Sequence, residues 1–300
     1  MELVALGVLA FGVVLAEPAS RALAKARWPE RDPVGALLVW QAVGLAGGLA
    51  LLSSAVMYGV APLASPPPAA LPVLARSLAA GHWPAQLGVP QTIALLVAVA
   101  LALWLLGVLA VVALRTLRAR ARHRELLDLL ATPWPAVPGA RVLDHPVPVA
   151  YCLPGLRSRL VVSAGVLDAL DVPEVWAVLA HERAHLRERH DLVVLPFVAW
   201  GATAPFVRGM VCAQLAVAAL IEMRADDVAA RRANPRQLAD ALMSMSDATP
   251  AGVLSSFTAA RDRRLARLID PPSPLPLTLR VLVRAAAVTL VAVPVAAFVL

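Results

Sequence analysis

Four apolar segments constrain what this chain can fold into more than any other feature. They cover about residues 3–16, 34–60, 92–114 and 279–300. A membrane-spanning helix needs about 20 consecutive apolar residues, which the last three segments supply. The chain is 60% hydrophobic, and soluble domains are only about 45–50% apolar. We therefore expect an α-helical integral membrane protein with about four transmembrane helices, in contact with the lipid bilayer.

The arginines predict how the chain is oriented in the membrane. Basic residues cluster between the first two segments, directly after the third, and at the start of the fourth, whereas the loop 61–90 holds only Arg76. Positive charge stays on the cytoplasmic side. We therefore predict a plasma membrane protein of bacterial type with an outside N-terminus, an inside loop at 17–33, and residues 115–278 in the cytoplasm. Because membrane topology accounts for the basic residues, we expect no direct binding of nucleic acid.

The same pattern divides the chain into three parts: a three-span membrane bundle (1–114), a cytoplasmic domain (115–278) and a C-terminal transmembrane helix (279–300). The cytoplasmic part should open with a basic helix at 115–130 and a proline-rich break at 132–139. Short runs of strand-forming residues follow, and then helices. We predict a small α+β domain.

One motif in this domain combines residues that can bind a metal ion with a residue that can activate a water at that metal. Residues 181–185 read His-Glu-Arg-Ala-His. Asp171 as N-cap, with Pro173 and Glu174 in the first turn, predicts a helix that runs through the motif. His181 and His185 then project from one face and can bind one zinc ion, while Glu182 can reach a water at the metal as general base. The alternative is a surface helix with scattered polar residues.

A second acidic motif supplies the rest of a zinc site. Glu222 and Asp226 are four residues apart, so both lie on one helical face. Glu222 would complete a His₂Glu site that leaves the fourth position for water, and Asp226 would orient a zinc-binding histidine by hydrogen bonding to its other nitrogen. The alternative is an ordinary helix end with solvated acids.

The apolar stretch at 192–221 tests this assignment. A single membrane crossing there would separate Glu222 from His181 and His185 by about 30 Å, and two crossings would need more residues than the stretch contains. Pro196, Gly201 and Pro205 also interrupt it. We therefore predict two buried or membrane-grazing helices.

These features together resemble the BlaR/MecR-type antirepressor membrane metallopeptidases, which are gluzincin-like zinc proteases. The resemblance is carried by residues 150–167, by the capped helix with its motif, by Glu222 with Asp226, and by the N-terminal three-span bundle. It implies a zincin-like fold, one Zn²⁺ held by His181, His185 and Glu222, and Glu182 as base. It also implies signal-dependent cleavage of a DNA-binding repressor or of the chain itself, and it leaves a homodimer open.

The chain departs from that family in one respect, and other classes compete. It has no S-x-x-K sequence and no penicillin-binding domain after its last span, so we expect no direct sensing of β-lactams. It is also similar to the HtpX-type quality-control proteases and the CAAX prenyl-protein proteases, which share both motifs. A non-catalytic membrane sensor or scaffold is the remaining alternative; a transporter is disfavoured because no inverted repeat is visible.

Several weaker candidates complete the predicted site. Tyr151 could donate to an oxyanion, and Arg264 could reach a transition state or substrate. We place His190 with Asp191 at the end of the motif helix, off the metal-binding face. The run 159–163 is interpreted as an edge strand to which a substrate could pair.

Overall fold

The structure is a computed structural model that describes residues 1–155, 158–247 and 258–300. Residues 156–157, inside the stretch that carries the family resemblance, lie outside the described part. The described residues form twelve α-helices and four strands. The helices are α1 Glu2–Val14, α2 Ser20–Lys25, α3 Pro33–Val60, α4 Pro67–Ala79, α5 Val89–Leu130, α6 Ala164–Ala169, α7 Val172–Arg187, α8 His190–Thr203, α9 Arg208–Ala229, α10 Pro235–Asp247, α11 Thr258–Ile269 and α12 Leu277–Val299. The strands are β1 Ala131–Pro133, β2 Ala140–Leu143, β3 Ala150–Leu153 and β4 Arg159–Ser163.

Four helical segments of the described chain are long and apolar enough to cross a membrane, and they lie at the four predicted positions. Their bounds are Glu2–Lys25, Pro33–Val60, Val89–Leu130 and Leu277–Val299. The first is longer than predicted, because a π-helical turn at Leu15–Ala19 joins α1 to α2. Residues 17–25 are therefore helix, and the expected loop at 17–33 shortens to the segment after Lys25 with its 3-10 turn at Trp28–Arg31.

The third apolar helix leads from the membrane part directly into the domain. α5 runs for 42 residues without a break, so the predicted basic helix at 115–130 is its continuation. Arg120 near its end donates a hydrogen bond of 2.9 Å to Asp191 at the start of α8. Leu127, in the last turn of α5, also packs on the sheet and is buried beside Leu153 and Val161. The long helix therefore contacts both the sheet and the helices of the domain.

The sheet has the strand order β1-β2-β4-β3, in which β4 pairs parallel with β2 and antiparallel with β3. The interpretation of 159–163 as an edge strand was wrong, because β4 is central and its Val161 and Val162 are fully buried. Strand β1 was missed, since Thr132 and Pro133 lie in what appeared to be a proline-rich break. Within the described residues, β3 is the strand beside α7 and lies at an edge of the sheet, so residues 150–153 offer backbone groups that no described strand pairs.

The apolar stretch at 192–221 forms two helices, as predicted. α8 ends at Thr203 and α9 begins at Arg208, so the chain reverses near Pro205. Neither helix is among the four that could span a membrane. The pair packs along α3, where Trp200 of α8 lies directly against Gly44. Pro33 is the first residue of α3 and Gly44 lies eleven residues after it, so this contact is about 16 Å along the helix from its N-terminal end.

Candidate metal centre

The helix that carries the motif begins where the sequence predicts. The backbone N–H of Asp171 donates to the Glu174 carboxylate at 2.9 Å, which forms one half of a capping box. Pro173 lies in the first turn, where backbone N–H groups make no hydrogen bond within the helix, so the lack of an N–H in proline costs nothing there. The buried face of α7 packs on the sheet through Val175, Val178 and Leu179. This packing fixes the last two turns of α7, which hold the motif.

Three side chains from α7 and α9 meet at one point. The Nε2 atoms of His181 and His185 lie 3.1 Å apart. Glu222 from α9 places Oε2 at 3.4 Å from His181 Nε2 and Oε1 at 3.5 Å from His185 Nε2. One donor atom from each residue lies within 4.8 Å of the others. Helix α9 returns to α7 because the chain reverses after α8, which brings together residues that are almost 40 positions apart.

These distances fit a tetrahedral zinc ion. Zinc binds histidine nitrogen and carboxylate oxygen at about 2.0–2.2 Å, so two tetrahedral ligands should lie roughly 3.3 Å apart. The separations in the structure, from 3.1 to 3.5 Å, fall around this value, with a different oxygen of Glu222 next to each histidine. The donor set of two imidazoles and one carboxylate is also that of catalytic zinc sites. Glu222 keeps 38% of its side chain exposed, against 8% for His181, so the cluster is open on the Glu222 side.

Asp226 lies where it was predicted, next to the far nitrogen of His181. His181 Nδ1 is 2.9 Å from Asp226 Oδ1, although without the alignment of a hydrogen bond. Asp226 is only 2% exposed, and Arg264 of α11 donates to both of its oxygens at 2.8 Å. Arg264 Nη1 is also 2.9 Å from Glu222 Oε2. A buried carboxylate next to both a histidine and a guanidinium is held in one orientation.

Glu182 lies beside the cluster and has an unusual acidity. Burial raises the pKa of Glu182 to about 7, with a smaller opposing effect of His181. A general base works best with a pKa near the operating pH. Its neighbour on β3 is Cys152, and burial next to Glu182 raises the pKa of the Cys152 thiol to about 12. No sequence pattern indicated this neighbour, since an isolated cysteine in an apolar run resembles a core residue.

The pKa values of the three potential ligands are shifted in different directions. Burial disfavours the charged form of His181, but Asp226 and Glu222 outweigh it and raise its pKa to about 9. Burial lowers the pKa of His185 to about 4. Burial acts to raise the pKa of Glu222, yet His181 and Arg264 lower it to about 2. In the metal-free protein a protonated His181 therefore balances the two carboxylates together with Arg264.

Tyr151 lies away from this cluster, so its suggested oxyanion role was wrong. Neighbouring residues of a strand point to opposite faces, and Cys152 takes the face toward α7. Tyr151 packs on the other face with Leu127 and Leu153. Its hydroxyl lies 2.7 Å from Nε2 of His123 on α5. The sheet separates it from Glu182.

Arg264 does reach the cluster, but its guanidinium faces protein carboxylates. All three of its nitrogens are within 2.9 Å of oxygens of Asp226 or Glu222. Its side chain is 14% exposed. This geometry makes Arg264 a support for the acidic residues of the site. The sequence could not distinguish this position from a solvated basic helix, because the contact joins α11 to α9 across 38 positions of sequence.

The position predicted for His190 was wrong. The motif helix ends at Arg187, and His190 begins the next helix after a residue with positive φ, Arg189. His190 is buried and contacts His185. The prediction assumed that α7 continued through residue 190, which would turn that side chain away from the metal-binding face. The left-handed conformation of Arg189 carried no clear signal in the sequence.

Comparison with known proteins agrees with this geometry. Residues 113–256 match Peptidase family M48. No curated protein and no solved structure matches the chain. The matched range begins in α5 and contains the sheet, α7 and the α9 residues of the cluster. The segment that holds the His/Glu cluster is thus similar to M48 peptidases, and this similarity supports a metallopeptidase in a chain with several apolar helices.

Proposed function

We propose that this protein is a membrane-anchored zinc endopeptidase that hydrolyses peptide bonds at the His181–His185–Glu222 cluster. The observation that carries the proposal is the close approach of the donor atoms: the two Nε2 atoms lie 3.1 Å apart, and each has an oxygen of Glu222 within 3.5 Å. The match to Peptidase family M48 over the same residues supports it. In this assignment His181, His185 and Glu222 hold the ion.

The roles of the other residues follow from their positions. Zinc, when bound, would lower the pKa of a water and polarise the scissile carbonyl group. Glu182, with a pKa of about 7, is placed to accept the proton of the attacking water and then to donate it to the leaving amine. Asp226 and Arg264 keep His181 and Glu222 in place during these steps. The chemistry needs no nucleophilic side chain.

The open edge of the sheet suggests how a substrate binds. β3 lies at the edge next to α7, with Cys152 beside Glu182. An extended peptide could pair with the backbone of β3 and pass over the cluster, as in other cases of β-augmentation. Such pairing uses main-chain hydrogen bonds, so we expect low side-chain specificity.

We further propose that the enzyme acts in regulated proteolysis, on a cytoplasmic transcriptional repressor or on its own chain. The support is the three-span bundle and its direct helical connection to the domain through α5. The packing of α8 and α9 favours this over an HtpX-like quality-control or processing enzyme, because neither helix is long and apolar enough to span the membrane. The match to family M48 is equally consistent with both roles.

Metal analysis and topology mapping test the proposal together. Purified wild-type protein should contain about one zinc per chain, and the double variant His181→Ala/His185→Ala should contain none. Reporter fusions at Arg124 and Arg236 should both give cytoplasmic signals, and a fusion at Ser77 an external signal. Full zinc in the double variant would refute the site. Opposite signals at Arg124 and Arg236 would refute the cytoplasmic domain.

A further inference from the structure

The chain turns directly after the motif helix and brings a third histidine next to the site. Arg189 adopts the left-handed conformation, with φ 52° and ψ 45°, which is rare for a residue with a side chain. His190 therefore folds back against α7. Its Nδ1 lies 3.0 Å from Nδ1 of His185, and the residue is only 4% exposed.

The contact is made by the nitrogen of His185 that faces away from the metal-binding cluster. Nε2 of His185 lies among the donor atoms, 3.5 Å from Glu222 Oε1. A neutral imidazole that binds a metal through Nε2 carries its proton on Nδ1. That proton can be donated to Nδ1 of His190. His190 then carries its own proton on Nε2.

The rest of the contacts match this proton arrangement. Nε2 of His190 lies 3.2 Å from Oε2 of Glu188, which accepts its proton. Arg224 of α9 donates to both oxygens of Glu188, with a shortest distance of 2.6 Å. We call the series His185, His190, Glu188 and Arg224 the orienting chain. Each ring N–H in it faces an acceptor, and it ends in a bidentate ion pair between Arg224 and Glu188.

We propose that His190 is a positioning residue, which fixes the ring orientation and the tautomer of His185 so that Nε2 is presented to the metal. The inference rests on the proposed zinc site. In this arrangement each histidine ligand has a polar partner at the nitrogen that faces away from the metal site. The partner of His181 is Asp226, and the partner of His185 is His190, which in turn contacts Glu188. Both supports are anchored on α9, through Asp226 and Arg224, close to the third ligand Glu222.

A role for His190 as a further ligand does not fit these contacts. Its Nδ1 meets the nitrogen of His185 on the side away from the cluster, and its Nε2 meets Glu188. The described residues that place donor atoms together at the cluster are His181, His185 and Glu222. His190 therefore acts on the metal only through His185.

The test is the zinc affinity of the full-length protein in detergent, measured by competition with a chelator. Loss of a hydrogen-bonding partner behind a metal ligand typically weakens binding about 10–100-fold, and we expect this for His190→Ala. His190→Asn should recover most of the affinity, because its amide oxygen can accept the proton from Nδ1 of His185. The control is His123→Ala, since His123 contacts Tyr151 on the other face of the sheet; its affinity should equal that of the wild type.

A further variant covers the case in which His190→Ala fails to fold. Glu188→Gln preserves size but replaces a charged acceptor by a weaker neutral one, so its affinity should fall several-fold. Wild-type affinity in folded His190→Ala or in Glu188→Gln would overturn the inference, as would an equal loss in His190→Ala and His190→Asn. A wild-type protein that binds no zinc would instead refute the proposed site itself.

Discussion

Arg264 donates hydrogen bonds to both carboxylate oxygens of Asp226, each at 2.8 Å, and so neutralises a side chain that is 2% exposed. The same guanidinium reaches Glu222 at 2.9 Å. A buried carboxylate without a partner costs several kcal/mol. Helix α11 is therefore part of the support of the candidate site, although it lies outside the residues matched by the family comparison.

Replacement of Arg264 should lower the stability of the metal-free protein. Arg264→Ala leaves Asp226 buried beside His181 alone, and removal of one partner of a buried ion pair typically costs about 3–5 kcal/mol. Arg264→Lys should recover only part of this, because an ammonium group cannot bind both oxygens in a planar fork. Thermal unfolding in detergent measures the effect.

Arg261 provides the matched control, since it lies on the same helix and pairs with the exposed Asp262. Arg261→Ala should change the stability by no more than about 0.5 kcal/mol. Equal unfolding temperatures for Arg264→Ala and Arg261→Ala would contradict the supporting role of Arg264.

Zinc binding should release a proton from His181. Asp226 and Glu222 raise the pKa of His181 to about 9, so the ring is protonated at neutral pH in the metal-free protein. A metal must displace that proton. The apparent zinc affinity should therefore rise about tenfold per pH unit from neutral pH up to about pH 9, where the metal-free ring loses its charge. His185, whose pKa is about 4, should contribute only in strong acid.

Calorimetry in buffers of different ionisation enthalpy counts the released protons. Measured on Glu182→Gln, it should give about one proton per zinc at neutral pH, because this variant removes the second titrating side chain. Zinc binding with no proton release, or an affinity independent of pH over this range, would show that His181 is neutral before the metal binds.

The packing of α8 on α3 depends on a glycine. A methyl group on Gly44 would overlap the ring of Trp200, whereas a methyl group on Gly48, one turn further along the same helix, would meet nothing within 4 Å. Gly44→Ala should therefore destabilise the protein by about 1–3 kcal/mol through overpacking. Gly48→Ala should be neutral or stabilising by up to about 1 kcal/mol.

The two alanine variants form a matched pair for thermal unfolding. Equal stability of the two proteins would mean that α8 does not lie on α3 at this position. A lower zinc content in Gly44→Ala alone would be consistent with the packing, because α8 leads from the motif helix to the helix that carries Glu222.

Local patterns were sufficient to predict the helix of the motif and the residues that meet at the cluster. Asp171, Pro173 and Glu174 specify a helix start by local hydrogen bonding, and spacings of four place side chains on one face. Three ligands of one metal ion cannot lie on opposite sides of a membrane, and this constraint predicted the break between α8 and α9. These inferences needed no knowledge of the tertiary structure.

The errors arose where backbone conformation or long-range pairing decides the outcome. His190 was misplaced because one residue, Arg189, leaves the helical conformation. Strand β4 was interpreted as an edge strand, and Tyr151 was given an oxyanion role, because strand order and the faces of a sheet depend on contacts between distant segments. The contact of Arg264 with Asp226 likewise joins separate helices, and neither helix reveals it alone.

The central claim is that Glu182 performs proton transfer and does not bind the metal, and Glu182→Gln tests it most directly. The variant and the wild type would each be purified, analysed for zinc, and incubated with an unfolded protein such as β-casein. We predict equal zinc contents and loss of at least about 10²–10⁴-fold in the cleavage rate of the variant. Equal cleavage by both zinc-loaded proteins would contradict the proposed peptidase mechanism.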